Sequence, residues 1–191
     1  MFLSILSSQG QDDKEPTWQE TVDFVARTIE QHGSGGCLSG AYWSEISNVT
    51  INAKNLSYYE VCRYSKDWPK LAKNGVLQMK NDEWTRIVSF PLDKLDVSTI
   101  KAAIVKDWIT GEQVFSVQFF CLEDSCVEST SIHRVETDNG QFGEPEGTTD
   151  TLALKNYRIR LTDEDAMNRL ARALKHLAIL AGSPSKELFT H

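Results

Sequence analysis

Four cysteines lie in the sequence, and their spacing indicates disulfide bonds. Cys121 and Cys126 flank the four-residue turn LEDS, and a simple hairpin register places them opposite each other. Opposed residues in an antiparallel pair lie about 4.5–5.5 Å apart at Cα, within the range that a disulfide accepts. We therefore predict a Cys121–Cys126 disulfide, with Cys37 and Cys62 as the remaining pair. Free buried thiols are the alternative.

The same cysteines allow two other kinds of chemistry. A zinc site would favour C-x2-C spacing, whereas the spacing here is C-x4-C with His133 as the nearest imidazole. A thiol nucleophile could pair Cys126 with His133 if a hairpin brought the two side chains together. The sequence contains no dinucleotide-binding, serine-hydrolase, P-loop or zinc-protease motif. We predict a protein that is not an enzyme and has no metal or cofactor. A small hydrolase or thiol enzyme that uses Cys126 and His133 is the alternative.

A row of basic residues near the end of the chain could bind an anion, such as a phosphorylated head group or an acidic peptide. Its members are Arg158, Arg160, Arg169, Arg172 and Lys175. A solvated helix face that complements the helix dipole explains the last three equally well. The five residues are therefore candidates for anion binding, with that structural role as the alternative.

Composition and charge limit the partners of the chain. Among 191 residues, 20 are Lys or Arg and 27 are Asp or Glu, which gives a net charge of -7. This charge repels phosphate backbones and disfavours nucleic-acid binding. No apolar run approaches the roughly 20 residues that a membrane span needs. We expect neither a nucleic-acid partner nor an integral membrane segment.

The first eleven residues, MFLSILSSQGQ, resemble the end of a secretory signal. Ser8 and Gly10 occupy the -3 and -1 positions of a cleavage site before Gln11, but a basic n-region and a full apolar h-region are missing. We therefore expect a signal that starts upstream and a periplasmic or secreted protein. A disordered N-terminus on a cytoplasmic protein is the alternative, and in both cases residues 1–16 lie outside the fold.

Two amphipathic helices are predicted, one near each end of the folded part. Thr17 and Glu20 have the spacing of a capping box, and Gly33 ends the first helix. The face of this helix consists of Trp18, Val22, Val25 and Ile29. We expect the last helix to span 162–181 with Thr162 as its N-cap and to bury Leu170, Leu174 and Leu177.

Between the helices, β-branched and aromatic residues predict strands. The predicted strands cover 37–46, 49–53, 56–64, 84–91, 99–109, 113–121, 126–135 and 151–160. The connections LDKLDVS, TGE and LEDS are short, so we expect successive strands to be antiparallel neighbours. The acidic stretch 136–150 lacks the spacing of a calcium-binding loop and is predicted to be a long hairpin loop.

The order of about seven strands followed by LTDEDAMNRLARALKHLAIL resembles the pleckstrin-homology-like architecture. With the preceding TWQETVDFVARTIEQHG and FPLDKL, it is also similar to small secreted bacterial proteins of uncharacterised function. The resemblance implies an α+β domain over 17–182, a mostly antiparallel β-barrel or sandwich, with 183–191 as a flexible tail. A lipocalin-like or other α+β sandwich has the same order of elements. Since no catalytic motif accompanies it, we expect a binding module for a peptide, a protein or a small apolar ligand.

Overall fold

A computed structural model describes residues 15–34, 42–64, 82–106, 113–135 and 150–184. The predictions for the signal-like segment, for Cys37 and for most of the acidic loop lie outside these residues. The described chain is α+β, with two helices and two antiparallel sheets.

The first helix, α1, spans Trp18–His32 and starts with the predicted capping box between Thr17 and Glu20. Its inward face buries Val25 and Ile29 completely. Gly33 follows at a point where a side chain would not fit, because a Cβ there would lie 2.2 Å from the Ile29 carbonyl oxygen. The absence of a Cβ at Gly33 therefore lets the chain leave the helix close to the Ile29 carbonyl.

The last helix, α2, spans Glu164–Leu180. Its N-cap is Asp163, whose carboxylate accepts from the Ala166 N–H at 2.6 Å, so the prediction of Thr162 is wrong. The Thr162 hydroxyl instead donates to the His32 carbonyl and ties α2 to the end of α1. Beyond the helix, Ser183 is buried and donates to the Leu95 carbonyl, so the packed chain continues past the predicted boundary at 182.

The described residues contain nine strands, and the first of them has only two residues. The strands are β1 (Gly33–Ser34), β2 (Tyr42–Asn52), β3 (Asn55–Tyr64), β4 (Asp82–Pro91), β5 (Lys101–Lys106), β6 (Gln113–Phe120), β7 (Val127–Val135), β8 (Asp150–Leu154) and β9 (Asn156–Leu161). One sheet has the order β1-β9-β6-β5 and the other the order β2-β3-β4-β7-β8. Within the described ranges no pairing between these strands joins the two sheets, so the architecture is a sandwich.

Three details of the predicted strands are wrong. The strand predicted at 151–160 is two strands, β8 and β9, which belong to different sheets. The separate strands at 37–46 and 49–53 are one strand, β2, within the described part of the chain. A register shift between Ser47 and Thr50 interrupts its pairing, and Asn48 has a φ of 53° there. The strand predicted at 99–109 is shorter, because a 3-10 turn occupies Val97–Thr99 and the regular strand β5 starts at Lys101.

The short connections do not all join neighbouring strands. β5 and β6 are antiparallel neighbours, as the TGE connection predicts. In contrast, LDKLDVS leads from β4 to β5 and LEDS leads from β6 to β7, and each connection crosses from one sheet to the other. A short connection fits a sheet-to-sheet corner as well as a hairpin, and the sequence does not distinguish the two.

Three crossings between the sheets lie together at one end of the sandwich, which we call the closed end. They are the segments 91–101, 120–127 and 154–156. Backbone hydrogen bonds join them: the Cys121 N–H donates to the Lys155 carbonyl at 2.8 Å, and the Cys126 N–H donates to Leu154 at 3.1 Å. The other end of the sandwich, where β4 begins at Asp82 and β7 ends at Val135, is called the far end.

The core lies between the two sheets and under both helices. Phe90 of one sheet contacts Phe119 of the other, with ring centroids 4.8 Å apart. From α2, Leu170, Leu174 and Leu177 are completely buried in the same core, as predicted.

Candidate functional site

The inner face of the five-stranded sheet changes from apolar to polar between the closed end and the far end. Side chains on alternate positions of β3, β4 and β7 form rows across this face. The rows are Leu56 and Phe90; then Tyr58, Val88 and Ser129; then Glu60, Arg86 and Ser131; then Cys62, Trp84 and His133. The first two rows are buried, whereas Trp84 in the last row is 42% exposed. Polar and aromatic groups therefore reach solvent at the far end.

The third row contains a buried charge pair. Glu60 is only 2% exposed, and its carboxylate lies 3.5 Å from the Arg86 guanidinium on the neighbouring strand. The hydroxyl of Tyr157, on β9 of the opposite sheet, donates to the same oxygen at 3.5 Å. A buried carboxylate requires such partners, because an unpaired charge in the interior is strongly destabilising.

Burial and the charge pair alter the titration of the neighbouring groups. Burial, and after it the proximity of Tyr157, raises the pKa of Tyr58 well above its ordinary value. Burial and then the Glu60 carboxylate raise the pKa of Tyr157. For Arg86, desolvation alone would lower the pKa, but the attraction of Glu60 and Tyr157 outweighs it and the pKa is raised. Both tyrosines are therefore neutral and Arg86 is charged at neutral pH.

An alkaline titration tests this arrangement. A tyrosine stabilises the fold when its pKa in the folded state is higher than the unfolded value of about 10. This stabilisation is complete below pH 10 and is lost as the pH rises through the folded-state pKa. We expect the free energy of unfolding to fall above pH 10, with a slope of at most about 1.4 kcal/mol per pH unit for each of the two tyrosines. Urea unfolding at several pH values between 8 and 11 measures the slope.

Two single variants assign the alkaline slope to its source. Tyr58→Phe should make the slope shallower, since it removes one of the two groups. Tyr59→Phe is the matched control, because Tyr59 is the next residue on β3 and is 40% exposed. An unchanged slope in Tyr58→Phe would contradict the assignment.

Next to the charge pair, the fourth row presents a pair of flat rings. Trp84 and His133 are paired across β4 and β7 and stack with centroids 4.2 Å apart and an angle of 17° between the rings. On β4, Trp84 and Arg86 are two residues apart and share a face of the sheet. An exposed aromatic surface and a guanidinium with 35% side-chain exposure therefore lie side by side.

The predicted disulfide between Cys121 and Cys126 is present, with Cα atoms 5.7 Å apart. The geometry behind the prediction is wrong, since β6 and β7 belong to different sheets and the disulfide closes a corner. Cys62 is also disulfide-bonded, and its partner lies outside the described residues. The pairing of Cys62 with Cys37 stays a prediction.

The structure separates Cys126 from His133. Its sulfur is bonded to Cys121, so Cys126 is not a thiolate here. His133 stands seven positions further along β7, and a strand rises about 3.3 Å per residue, which puts the two residues roughly 20 Å apart. The pair does not form a nucleophile and base. Among the described residues, no group of three or more His, Cys, Asp or Glu side chains could hold a metal ion.

The basic row is divided between two surfaces. Arg169, Arg172 and Lys175 lie on α2, where the two arginines are exposed. Arg158 and Arg160 lie on the face of β9 opposite the buried Ile159 and Leu161. Since α2 packs against the core side of the sheet, the two arginines of β9 lie across the sheet from those of the helix.

No protein-family model, no curated protein and no solved structure matches this chain. No helix among the described residues is long and apolar enough to cross a membrane. The geometry of the described residues is therefore the basis for a functional proposal.

Proposed function

We propose that this protein is a non-enzymatic binding module that takes a small ligand at the far end of the sandwich. The observation that carries the proposal is the adjacency of Trp84 and Arg86 on the inner face of the sheet, where both reach solvent. Such sites combine apolar and aromatic walls with a few polar groups that fix orientation. The ligand would have a flat apolar part and an anionic or hydrogen-bond-accepting group.

The rows beneath this site support the assignment. The Glu60 carboxylate pairs with the Arg86 guanidinium and fixes its position. The guanidinium has five N–H donors, and a contact with one carboxylate does not use all of them. Trp84 is oriented by its stack with His133. The two side chains are thus positioned before a ligand arrives, which reduces the entropy cost of binding.

We further propose a periplasmic or secreted location and a pleckstrin-homology-like arrangement of the sandwich. The Cys121–Cys126 disulfide supports the location, because such bonds persist in oxidising compartments. The C-terminal helix packed on the β1-β9-β6-β5 sheet of a two-sheet antiparallel structure supports the arrangement. The alternative of a thiol enzyme has no support from the positions of Cys126 and His133.

Binding of 1-anilinonaphthalene-8-sulfonate tests the proposal, because this dye has flat aromatic rings and an anionic group. We expect saturable binding to the folded protein, followed by dye fluorescence. Trp84→Ala should weaken it by about tenfold or more, equivalent to about 1.4 kcal/mol, through loss of ring contact.

The matched control is Tyr59→Ala, which removes an aromatic ring of similar exposure from the opposite face of the same sheet. Its affinity for the dye should stay within twofold of the unaltered protein. Near-ultraviolet circular dichroism verifies that both variants are folded. Equal losses in both variants, or no loss in Trp84→Ala, would refute a site at the far end.

A further inference from the structure

The edge of the four-stranded sheet is open at β5 within the described part of the chain. β5 pairs with β6 on one side, and no other described strand lies beside it. In an antiparallel pair, residues that bond to the partner strand alternate with residues whose N–H and C=O groups point away from it. About half of the peptide groups of Lys101–Lys106 therefore face away from β6, where another extended chain could pair with them.

A hollow of about 660 Å³ lies beside this edge, between the start of β5 and α2. Its apolar lining consists of Ile100, Ala102 and Ala171. Ala102 is on the core side of β5, since it is paired with the buried Val117 of β6. The hollow therefore lies on the side of β5 that faces α2. A strand added at the edge would direct alternate side chains toward that side.

The charged residues around the hollow are four cations and one acid. They are Lys101 on β5 and Arg169, Arg172, Lys175 and Asp165 on α2. The Arg169 guanidinium lies over the Phe24 ring, so its charge is directed toward α1. Lys101 and Arg172 are exposed, and neither forms an ion pair with another described residue. The hollow is therefore a basic surface on a chain with a net charge of -7.

The two ends of the edge carry the same charge, and this selects among possible occupants. If two copies of β5 paired in antiparallel register, Lys101 of one copy would lie opposite Lys106 of the other. Like charges in that position repel, and edge lysines commonly prevent such self-association. The same lysines attract an extended chain with carboxylates. A nucleic acid or a lipid surface has no peptide groups that could pair with the open edge.

We propose that the edge of β5 binds an extended acidic segment of a partner protein, which adds to the sheet as a further strand beside α2. Hydrogen bonds between the two backbones would supply affinity, as in other cases of strand addition. Arg172 and Lys101 would select carboxylates through charge-assisted contacts. This surface is on the opposite sheet from Trp84 and Arg86, so it is independent of the small-ligand site.

Fluorescence anisotropy tests the charge requirement with a labelled peptide of about eight residues in which Glu alternates with Thr. We expect binding that weakens as salt rises from about 50 to 300 mM, because exposed charges are screened. Lys101→Gln/Arg172→Gln should lower the affinity about tenfold through loss of two exposed charge contacts. The matched control is Lys54→Gln/Lys155→Gln, which removes the same charge at the closed end and should change the affinity less than twofold. Thermal unfolding verifies that both variants are folded.

A second peptide and amide hydrogen exchange test the backbone pairing. N-methyl groups on the two central amides keep the charge of the peptide but block two adjacent donors, one of which faces the edge in either register. This peptide should bind about tenfold more weakly or worse. The unmodified peptide should slow the exchange of alternate amides in β5.

Four results would overturn the proposal. They are equal affinity of the two peptides, unchanged exchange in β5 with the peptide bound, equal losses in the two double variants, and no peptide binding at about 50 mM salt. Tighter binding to vesicles of anionic phospholipid than to the peptide would overturn it as well.

Discussion

Replacing Arg86 with Gln should lower the free energy of unfolding by about 3 kcal/mol, because it removes the guanidinium that pairs with the buried Glu60 carboxylate. Removal of one partner of a buried pair costs about 3–5 kcal/mol, and the partial exposure of Arg86 places the effect at the lower end. Urea unfolding at pH 7 measures the loss. The Tyr157 hydroxyl remains as a donor and does not compensate for the charge.

A double variant tests whether the loss of stability comes from the charge pair itself. Glu60→Gln/Arg86→Gln should recover most of the loss, since neither charge of the pair is then present. Lys94→Gln serves as a control, because Lys94 and Glu123 form an exposed ion pair and such pairs contribute about 0–1 kcal/mol. A double variant that is less stable than Arg86→Gln alone would show that the charge pair is not the cause.

Leu174→Ala should lower the free energy of unfolding by about 2–5 kcal/mol, the range for truncation of a buried leucine. Leu174 is completely buried under the sheets, and its removal leaves a cavity where α2 meets the core. Chemical unfolding followed by circular dichroism measures the change. The same substitution at Leu180 is the control, because Leu180 is on the same helix and 44% exposed.

For Leu180→Ala we expect a loss below about 1 kcal/mol, since little apolar surface leaves the core. If Leu174→Ala cost less than about half a kcal/mol, α2 would not be part of the core. The packing of α2 against β5, β6 and β9 would then be incorrect.

The helices could be predicted from the sequence because their signals are local. The capping box at Thr17 and Glu20 and the stripe that includes Leu170, Leu174 and Leu177 lie within one or a few turns. The predicted N-cap of α2, Thr162, differs by one residue from the observed N-cap, Asp163, because Thr and Asp are both favourable at this position. In the structure the Thr162 hydroxyl donates to the His32 carbonyl, a contact between residues 130 positions apart that no local sequence pattern reveals.

The sheets could be predicted only in part, because pairing depends on contacts between distant segments. A four-residue connection such as LEDS allows a hairpin or a corner, and the deciding contacts come from Lys94 and Lys155 on other segments. The Cys121–Cys126 disulfide could be predicted nevertheless, because either geometry brings its two ends together.

The charge pair at the candidate site was missed, although the sequence contains one signal for it. In β3 the inward positions are Leu56, Tyr58, Glu60 and Cys62, so a carboxylate interrupts an apolar face. Such a residue requires a partner. That partner, Arg86, is on another strand and Tyr157 is in another sheet, so local patterns could not identify them.

The corner between β6 and β7 is held in more than one way. Besides the disulfide, backbone hydrogen bonds from Cys121, Leu122 and Cys126 reach two other segments of the chain. A bridge across so short a loop removes little entropy from the unfolded chain, so reduction would leave the corner in place. The oxidation state of Cys121 and Cys126 would thus indicate whether the protein has been in an oxidising or a reducing compartment. The fold would be the same in the oxidised and in the reduced protein.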